Sequence, residues 1–194
     1  MIQWPADLTT LAQKFRSAKP FAHLVIDGVV SREDHAQLAR AFPDEPQVLV
    51  ENEIYLHSRG SEPPMTAALR GLFDALQASC AQVSAICGRP VTRVDGSAYT
   101  YLAGHYLLPH SDSRESERRA IAYAYYVGAP KRGGELELFA CTRKGKEIVR
   151  TRPVKRIAAR ANRLVLFEVN DLALHQVREI LDGARTSIAG WFYP

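Results

Sequence analysis

The sequence contains too little cysteine for a fold stabilised by disulfide bonds. Its three cysteines are Cys80, Cys87 and Cys141, and an odd number cannot form a closed set of bridges. Cys80 and Cys87 lie on one predicted helix, where their spacing separates them by roughly 10 Å, too far for a bridge. We therefore expect free thiols that act as small buried hydrophobic side chains in a reducing compartment.

Long apolar runs are lacking as well. No stretch approaches the length of a membrane-spanning segment, and residues 1–7 show neither the basic nor the apolar region of a signal peptide. This predicts a cytoplasmic protein without membrane contacts. The chain also has no internal repeat or low-complexity segment. Its 194 residues, 46% of them hydrophobic, predict one globular domain over 1–194.

Positive and negative residues are nearly balanced, and an excess of one sign is found in only one segment. The formal net charge is only +4, yet 143–163 contains Lys and Arg at nine positions and a single acidic residue, Glu147. A solvated hairpin is one interpretation, and a docking surface for an anionic partner is the other. No aromatic residue interrupts this basic segment. That absence argues against a stacking platform for single-stranded nucleic acid, and we expect no nucleic-acid partner.

The predicted elements divide the chain into two parts. A strand at 21–26 and a capping-box helix from Ser31 to about Phe42 precede one long amphipathic helix, 64–87. After Pro90 the sequence changes to short β-rich runs separated by Gly, Asp and Pro. These runs are 97–102, 105–111, 119–127, 134–140, 147–152, 163–169, 173–180 and 185–193. The pattern predicts an α+β fold with an all-β core, a jelly roll. Residues 97–194 form that core, and the helices of 1–96 pack on one sheet.

His110 and Asp112 are the first candidates for chemistry. Side chains two positions apart on a strand project to the same side, so the pair can bind one metal ion. His175, within an otherwise apolar run, is the candidate third ligand. Two histidines and a carboxylate leave the opposite metal positions open, which is typical of Fe(II) enzymes. Taken singly, the pair is a common surface spacing, and His175 also fits a hydrogen-bonded core histidine.

Arg185 opens the last predicted strand and needs an anion if it is buried. Its planar fork can bind a carboxylate through two N–H groups, and Ser187 faces the same way. His175 and Arg185 share a face only if 181–183 is a three-residue hairpin loop that ends in a left-handed Gly183. The sequence therefore predicts this loop or an equivalent bulge, with the strands before and after it paired.

The strand 119–127 has small side chains on one face: Ala120, Ala122 and Ala124, followed by Tyr126. This face predicts either the wall of a small-molecule cavity or a tight contact between the sheet and a helix. In the first case the Tyr126 hydroxyl can donate to a bound carboxylate.

Together these residues resemble the prolyl-4-hydroxylase-like branch of the Fe(II)/2-oxoglutarate-dependent dioxygenases. The motifs cover about 99 to 193, and a further one lies at Pro20-Phe21-x-x-Leu24-Val25-Ile26-Asp27. In chain order they are Tyr101-x-x-Gly104, Pro109-His110-Ser111-Asp112-Ser113, Ala124-Tyr125-Tyr126-Val127, Gly133-Gly134-Glu135-Leu136, Asn162-Arg163-Leu164-Val165-Leu166-Phe167, His175-x-Val177 and Arg185-x-Ser187-Ile188-Ala189-Gly190-Trp191-Phe192. The resemblance implies a double-stranded β-helix over 97–194, with an opening strand and supporting helices before it.

The resemblance also implies a set of roles. His110, Asp112 and His175 would bind Fe(II), and Arg185 would pair with the distal carboxylate of 2-oxoglutarate. Tyr126 would help to hold this co-substrate, with Tyr101 and Ser187 as further contacts. Dioxygen is the second co-substrate, and ascorbate is a candidate auxiliary reductant. Asp112 favours hydroxylation over halogenation, because related halogenases have a small residue there. Gln176 departs from the acidic residue that many relatives have after the distal histidine.

The predicted activity is hydroxylation of an unactivated C–H bond in an amino acid or small metabolite, with decarboxylation of 2-oxoglutarate to succinate. Residues 52–64 and 113–118 are expected to line the entrance, where Arg114, Arg118 and Arg119 suggest an anionic substrate. One alternative is a hydroxylase of a protein residue, prolyl or similar, that docks through the basic segment 143–163. A non-catalytic metal-binding β-barrel module and a hydrolytic zinc enzyme are the others. The sequence does not predict an oligomeric state.

Overall fold

The computed structural model of the protein describes residues 1–114 and 116–194. Within this described part the helices are α1 (Leu8–Ser17), α2 (Arg32–Ala41), α3 (Ala67–Gln77) and α4 (Cys80–Cys87), with a 3₁₀ helix at Phe42–Asp44. The strands are β1 (His23–Asp27), β2 (Gln47–Glu51), β3 (Tyr55–Gly60), β4 (Arg93–Val94), β5 (Ser97–Tyr101), β6 (Tyr106–His110), β7 (Ile121–Gly128), β8 (Arg132–Gly133), β9 (Leu136–Lys144), β10 (Glu147–Ile157), β11 (Arg163–Glu168), β12 (His175–Val177), β13 (Ile180–Asp182) and β14 (Arg185–Tyr193).

Ten of these strands follow one antiparallel path that doubles back on itself. The order is β1-β11-β7-β14-β5-β3-β6-β12-β9-β10. Strand β3 pairs with both β5 and β6. It therefore joins a first half of the sheet, β1-β11-β7-β14-β5, to a second half, β6-β12-β9-β10. Strand β2 extends β3, β4 extends β14, and β8 pairs separately with β13.

The two halves face each other across a core that both of them supply. Ala122, Ala124 and Tyr126 of β7 pack in one cluster with Leu136 and Leu138 of β9. The intervening β7 residues Ile121, Tyr123, Tyr125 and Val127 belong to a second cluster, on the opposite face, together with helix residues. This alternation confirms the jelly-roll core with helices on one sheet. Ala120 is an exception to the predicted face: it precedes the strand and packs with the helical cluster.

The helical region differs from the prediction at two places. Helix α2 begins as expected, with the Ser31 hydroxyl accepting from the backbone N–H of Asp34. The predicted single helix over 64–87 is divided into α3 and α4. At the division, the Ser79 hydroxyl donates to the carbonyl of Ala75 and accepts from the Trp4 indole, and such side-chain bonds compete with a regular helix. Helix α1, capped by Asp7, was not predicted.

Two β segments also differ from the prediction. The segment 52–64, expected as an entrance loop, contains the strand β3 at Tyr55–Gly60. The run 173–180 is not one strand. Its first part, β12, pairs with β6 and β9, while β13 lies apart on β8.

The cysteines are free, as predicted, although only Cys87 is buried, while Cys80 and Cys141 are partly exposed. Among the described helices, none combines the length and the apolar character needed to cross a bilayer.

Candidate metal centre and anion chamber

Three potential metal ligands converge where β6 and β12 lie side by side. His110 ends β6 and is the cross-strand partner of His175 at the start of β12. Asp112 follows β6, with one carboxylate oxygen 3.4 Å from His110 Nε2 and the other 3.6 Å from His175 Nε2. One ligand atom from each residue lies within 4.8 Å of the others. The structure thus brings together the three residues that the sequence names as candidate ligands, close enough for one ion to contact all of them.

Backbone carbonyls set the ring orientation of both histidines. His110 Nδ1 lies 2.9 Å from the Leu108 carbonyl, and His175 Nδ1 lies 3.0 Å from the Ala173 carbonyl. A carbonyl can only accept, so each Nδ1 donates its proton there and each Nε2 is left facing the carboxylate of Asp112. This is the tautomer that a metal-binding imidazole needs.

The electrostatics of the trio suit a divalent cation. Burial lowers the pKa of His175 to about 4, so this imidazole is neutral at neutral pH. Burial acts to raise the pKa of Asp112, but the neighbouring His175 and His110 outweigh it and hold that pKa well below its usual range. The centre therefore combines the neutral imidazole of His175 with one buried negative charge on Asp112, and His110 completes a set of two nitrogen donors and one oxygen donor, as in a non-haem iron site.

The two loops that carry the trio are tied together. Ser111 donates through its hydroxyl to the carbonyl of Asn170, 3.0 Å away, in the loop that leads to His175. The same hydroxyl accepts from the backbone N–H of Ser113. Arg119 lies 3.5 Å above the Trp191 ring and donates to the carbonyl of Asp112. These contacts fix the position of Asp112 relative to the two histidines.

A chamber of unsatisfied donors lies beside the trio on the inner face. Arg185 is 3% exposed, and no carboxylate of a described residue pairs with it. Among the described residues, its guanidinium makes a single hydrogen bond, a long one of 3.4 Å to the carbonyl of Gly134. The Tyr126 hydroxyl, the Ser187 hydroxyl and Arg185 Nε are buried without partners among the described residues. We refer to these three residues and Tyr101 as the anion chamber.

The aromatic members of the chamber pack around the guanidinium. Its Cζ lies 4.9 Å from the centre of the Tyr126 ring and 5.1 Å from that of Tyr101. Tyr101 is the cross-strand partner of Arg185, and Ser187 is that of Tyr126. Burial raises the pKa of Tyr101 far above its usual range, so its phenol stays protonated and can donate. A buried cation surrounded by donors without hydrogen-bond partners is destabilising unless an anion binds there. A carboxylate can accept from the guanidinium and from the neighbouring hydroxyls.

The strands bring His175 and Arg185 together, but not by the predicted hairpin. Gly183 is left-handed with φ at 82°, as expected. The paired strands around it are absent from the described ladders, because β14 pairs with β5 and β7 while β12 pairs with β6 and β9. The two residues thus belong to opposing halves of the core and face each other. Arg185 is close enough to contribute to the lowered pKa of His175.

His57 is a chamber neighbour that the sequence reasoning missed. It lies on β3, is 6% exposed, and stacks on Tyr101 with ring centres 4.9 Å apart. Its Nδ1 has no partner among the described residues. Burial, with Arg59, His105 and Arg185 nearby, lowers the pKa of His57 to about 4. The alternation of Tyr55, His57 and Arg59 is the sequence signal for a strand here, and the expected loop over 52–64 does not account for it.

The residues expected at the entrance are largely engaged elsewhere. Arg114 and Arg119 both pair with Glu117, so two of the three arginines proposed to meet an anionic substrate already have a carboxylate. Position 115 of the predicted entrance segment 113–118 lies outside the described residues. Gln176 points away from the trio and donates to Glu137.

Comparison with known proteins agrees with this arrangement. Residues 96–193 match the family model described as the 2OG-Fe(II) oxygenase superfamily. Over 193 residues the chain is 31% identical to a mouse (Mus musculus) protein named prolyl 3-hydroxylase OGFOD1; the match takes in 90% of this chain and 33% of that protein. The chain thus spans about a third of the length of that curated relative.

Two solved structures are similar over nearly the whole chain. A prolyl-4-hydroxylase from Pseudomonas putida has a TM-score of 0.70 and 16% identity, with 94% of this chain and 98% of that chain covered. A prolyl hydroxylase from Trichoplax adhaerens, in complex with a hypoxia inducible factor oxygen degradation domain peptide fragment, has a TM-score of 0.69 and 14% identity. The match covers 98% of this chain and 94% of that chain. At these identities the likeness establishes a shared fold.

Proposed function

The chain belongs to the 2OG-Fe(II) oxygenase superfamily, and we propose that it hydroxylates an unactivated C–H bond of a prolyl residue in a polypeptide. Support for the substrate class comes from the named activity of the mouse relative and from the peptide bound to the Trichoplax enzyme. The amino-acid or small-metabolite substrate that the sequence favoured stays a prediction. Its support is weaker, since Arg114 and Arg119 are paired with Glu117.

Fe(II) is proposed to bind to His110, Asp112 and His175. The fixed tautomers, the buried carboxylate and the one-sided placement of the donors support this assignment. Bound Fe(II), with 2-oxoglutarate and O₂, would supply the oxidation: one oxygen atom would enter the C–H bond, and the other would enter 2-oxoglutarate, which would lose CO₂ to become succinate. A hydrolytic zinc site would leave the anion chamber without a role.

2-Oxoglutarate is proposed to place its distal carboxylate in the anion chamber. Arg185 is the observation that carries the proposal, because a buried guanidinium without a carboxylate partner among the described side chains requires an anionic ligand. Its fork can donate twice to one carboxylate, and the hydroxyls of Tyr126 and Ser187 can donate to the remaining lone pairs. Tyr101 closes the chamber from the neighbouring strand.

The protein's part in the reaction is to orient and to exclude water. The hydrogen bond from Ser111 to Asn170 fixes the two loops that carry the ligands relative to each other. The apolar cluster of β7 and β9 surrounds Tyr126 of the anion chamber and excludes water from that side. Burial in such surroundings strengthens each charge interaction within the site. Neither Asp112 nor His175 is poised to take up a proton near neutral pH, so both remain available as ligands.

The test is co-substrate turnover followed by product analysis. Purified protein supplied with Fe(II), O₂, 2-oxoglutarate and ascorbate should release succinate, and a His110→Ala variant should not. Proline-containing peptides should stimulate the release and gain one oxygen atom by mass spectrometry, whereas free proline and related amino acids should not. Stimulation by free amino acids alone would move the assignment to the small-molecule class. Absence of succinate above the His110→Ala background, with zinc at full occupancy after anaerobic purification, would overturn it.

A further inference from the structure

The basic segment forms a two-stranded ribbon that extends from the core. Strands β9 and β10 have 9 and 11 residues, and β10 is the last strand of the sheet path. Every residue of β10 from Glu147 to Arg156 is exposed. The predicted run 147–152 therefore captured only half of this strand. We call the part from Ala140 to Lys155 the basic ribbon.

The ribbon leaves the core at the end where the metal trio lies. Strands β6 and β9 are both antiparallel to β12, so they run in the same direction. His110 is the last residue of β6, and His175 pairs with both His110 and Leu138. Lys144 at the tip lies six positions beyond Leu138, which carries the ribbon about 20 Å past the level of the trio.

One face of the ribbon continues the face that holds His175. Cross-strand partners project to the same side of a sheet, and Leu138, fully buried in the inner cluster, is the partner of both His175 and Lys155. Further out, Arg152 pairs with Ala140 and Arg150 pairs with Thr142. Three cations, Lys155, Arg152 and Arg150, thus form a file that begins beside the trio and leads outward.

The cations of this file are unpaired among the described residues, whereas Arg156 on the other face is not. Within the described residues, none of the three makes an ion pair or a side-chain hydrogen bond. On the opposite face Arg156 pairs with the buried Glu137 at 2.6 Å, as part of a structural network. The charges of the three side chains therefore stabilise no contact within the described part of the fold. An anionic partner would pair with them.

We propose that the basic ribbon is a docking arm for an acidic, extended segment of a polypeptide substrate, outside the site that holds the reacting residue. The inference rests on the proposed function for its link to hydroxylation. Exposed apolar side chains on the ribbon, Ile148, Val149 and Val154, fit a protein partner that can bury them. No aromatic side chain is present between Arg143 and Arg163 to stack on nucleic-acid bases.

The contact is made by side chains and not by strand addition. Val149 and Val154 are bulged out of the β9–β10 pairing, and Pro153 has no N–H to offer. Bulges, proline and charge on an edge strand prevent a further strand from joining. The acidic segment must therefore lie across the face of the ribbon, where its carboxylates can reach Lys155, Arg152 and Arg150.

The test compares one triple variant with a control of equal charge change. Arg150→Gln/Arg152→Gln/Lys155→Gln removes the file, and Lys14→Gln/Arg32→Gln/Arg40→Gln removes three exposed cations from α1 and α2. The probe is a fluorescent peptide in which Glu alternates with Val around a central proline, and its Gln-for-Glu counterpart is the matched peptide. Binding is followed by fluorescence anisotropy at low and at high salt.

The acidic peptide should bind the wild-type protein and the control variant alike and the ribbon variant about tenfold more weakly. High salt should reduce this difference. Equal binding of the acidic and Gln peptides to the wild-type protein would overturn the inference, as would tighter binding of a duplex or single-stranded nucleic acid of matched charge. Peptide-independent succinate release is measured in parallel and should be the same in all three proteins. If succinate release fails everywhere while the acidic peptide still binds through the file, the docking arm stands and the proposed function falls.

Discussion

At the scale of single residues, the burial of Arg185 lowers the stability of the ligand-free protein. A guanidinium buried at 3% exposure without a counter-ion among the described side chains is unfavourable, and the rings of Tyr101 and Tyr126 with one long hydrogen bond offset only part of that cost. Arg163 provides the contrast. It is nearly as buried, yet it donates twice to the carboxylate of Asp27 and once to the carbonyl of Ala158. Arg163 therefore contributes to the fold, whereas Arg185 is proposed to bind a ligand.

Replacing Arg185 should therefore stabilise the ligand-free protein while removing its response to 2-oxoglutarate. We expect Arg185→Met to raise the free energy of unfolding by about 1–3 kcal/mol, since an unpaired buried charge disappears. The measurement is urea unfolding without ligand, and thermal unfolding with and without 2-oxoglutarate. Arg163→Met is the control and should lower stability, because it leaves Asp27 and the Ala158 carbonyl unpaired. A destabilised Arg185→Met protein that still responds to 2-oxoglutarate would contradict the assigned role.

His57 gives a second residue-scale prediction, on the pH dependence of stability. Its folded pKa of about 4 lies below the unfolded value of about 6.5, so the folded state binds fewer protons between these values. Stability is therefore complete above the unfolded pKa and is lost as the pH falls toward the folded one. The loss assigned to His57 at about pH 5 is about 2 kcal/mol.

A His57→Phe variant keeps a ring against Tyr101 and removes the titration. Urea unfolding at about pH 7 and about pH 5 should show a drop in stability that is smaller by about 2 kcal/mol in the variant than in the wild-type protein. Since other buried histidines titrate in both proteins, only the difference is informative. Identical drops would place the protonation-sensitive group elsewhere.

At the scale of elements, sequence patterns were reliable where one residue pattern had one structural solution. The alternation along β7, the Ser31 cap of α2 and the spacing of His110 and Asp112 each predicted what is observed. The pairing of β12 with β9, instead of with β14, could not be predicted in this way. It depends on which strands cross between the two halves, and a local pattern carries no information on that choice.

The same limit explains the missed parts of the site. His57 reaches the chamber because β3 bridges the two halves, and the division at Ser79 depends on a hydrogen bond from the distant Trp4. Both are consequences of long-range contacts. The four principal candidates, His110, Asp112, His175 and Arg185, were nonetheless predicted to lie together, and the structure brings them together by different pairings.

The β8–β13 pair is an element whose geometry depends on glycine. Gly133 has φ at 82°, and a Cβ there would lie 2.2 Å from the carbonyl oxygen of Glu179 on the segment opposite. Since the obstacle is backbone, we expect Gly133→Ala to separate the pair, to cost about 3 kcal/mol or more, and to weaken 2-oxoglutarate binding. The neighbouring Gly134 supplies the carbonyl that Arg185 contacts.

Gly145 is the matched control for that substitution. It is left-handed too, with φ at 62°, but a Cβ there would meet nothing within 4 Å. Gly145→Ala should therefore cost only about 1 kcal/mol for the backbone and leave co-substrate binding unchanged. Unfolding and 2-oxoglutarate titration of both variants provide the comparison. Equal costs would show that the left-handed backbone, and not the close approach to Glu179, limits this position.

At the scale of the whole molecule, the family model covers only 96–193, yet the first half of the chain is part of the same core. Leu11, Leu38 and Leu69 of the helices pack in one cluster with Tyr125 of β7 and Phe192 of β14. Strand β1 also lies on β11. We therefore propose that 1–194 folds as one domain, because the outer face of the first half-sheet has no other cover.

The two tryptophans make this proposal measurable, since each part of the chain contains one. Trp4 donates to Ser79 in the helical part, and Trp191 lies on β14 beneath Arg119. In Trp191→Phe the fluorescence reports the helical part, and in Trp4→Phe it reports the β core. If the parts form one cooperative unit, the fluorescence and far-ultraviolet circular dichroism transitions in urea should coincide within each variant. For the same reason residues 97–194 alone should not fold, because removing the helices exposes the apolar outer face of β7 and β14. An earlier transition for Trp4 than for the circular dichroism signal, or a folded 97–194 fragment, would instead show that the helical part is a separate unit attached to a self-sufficient core.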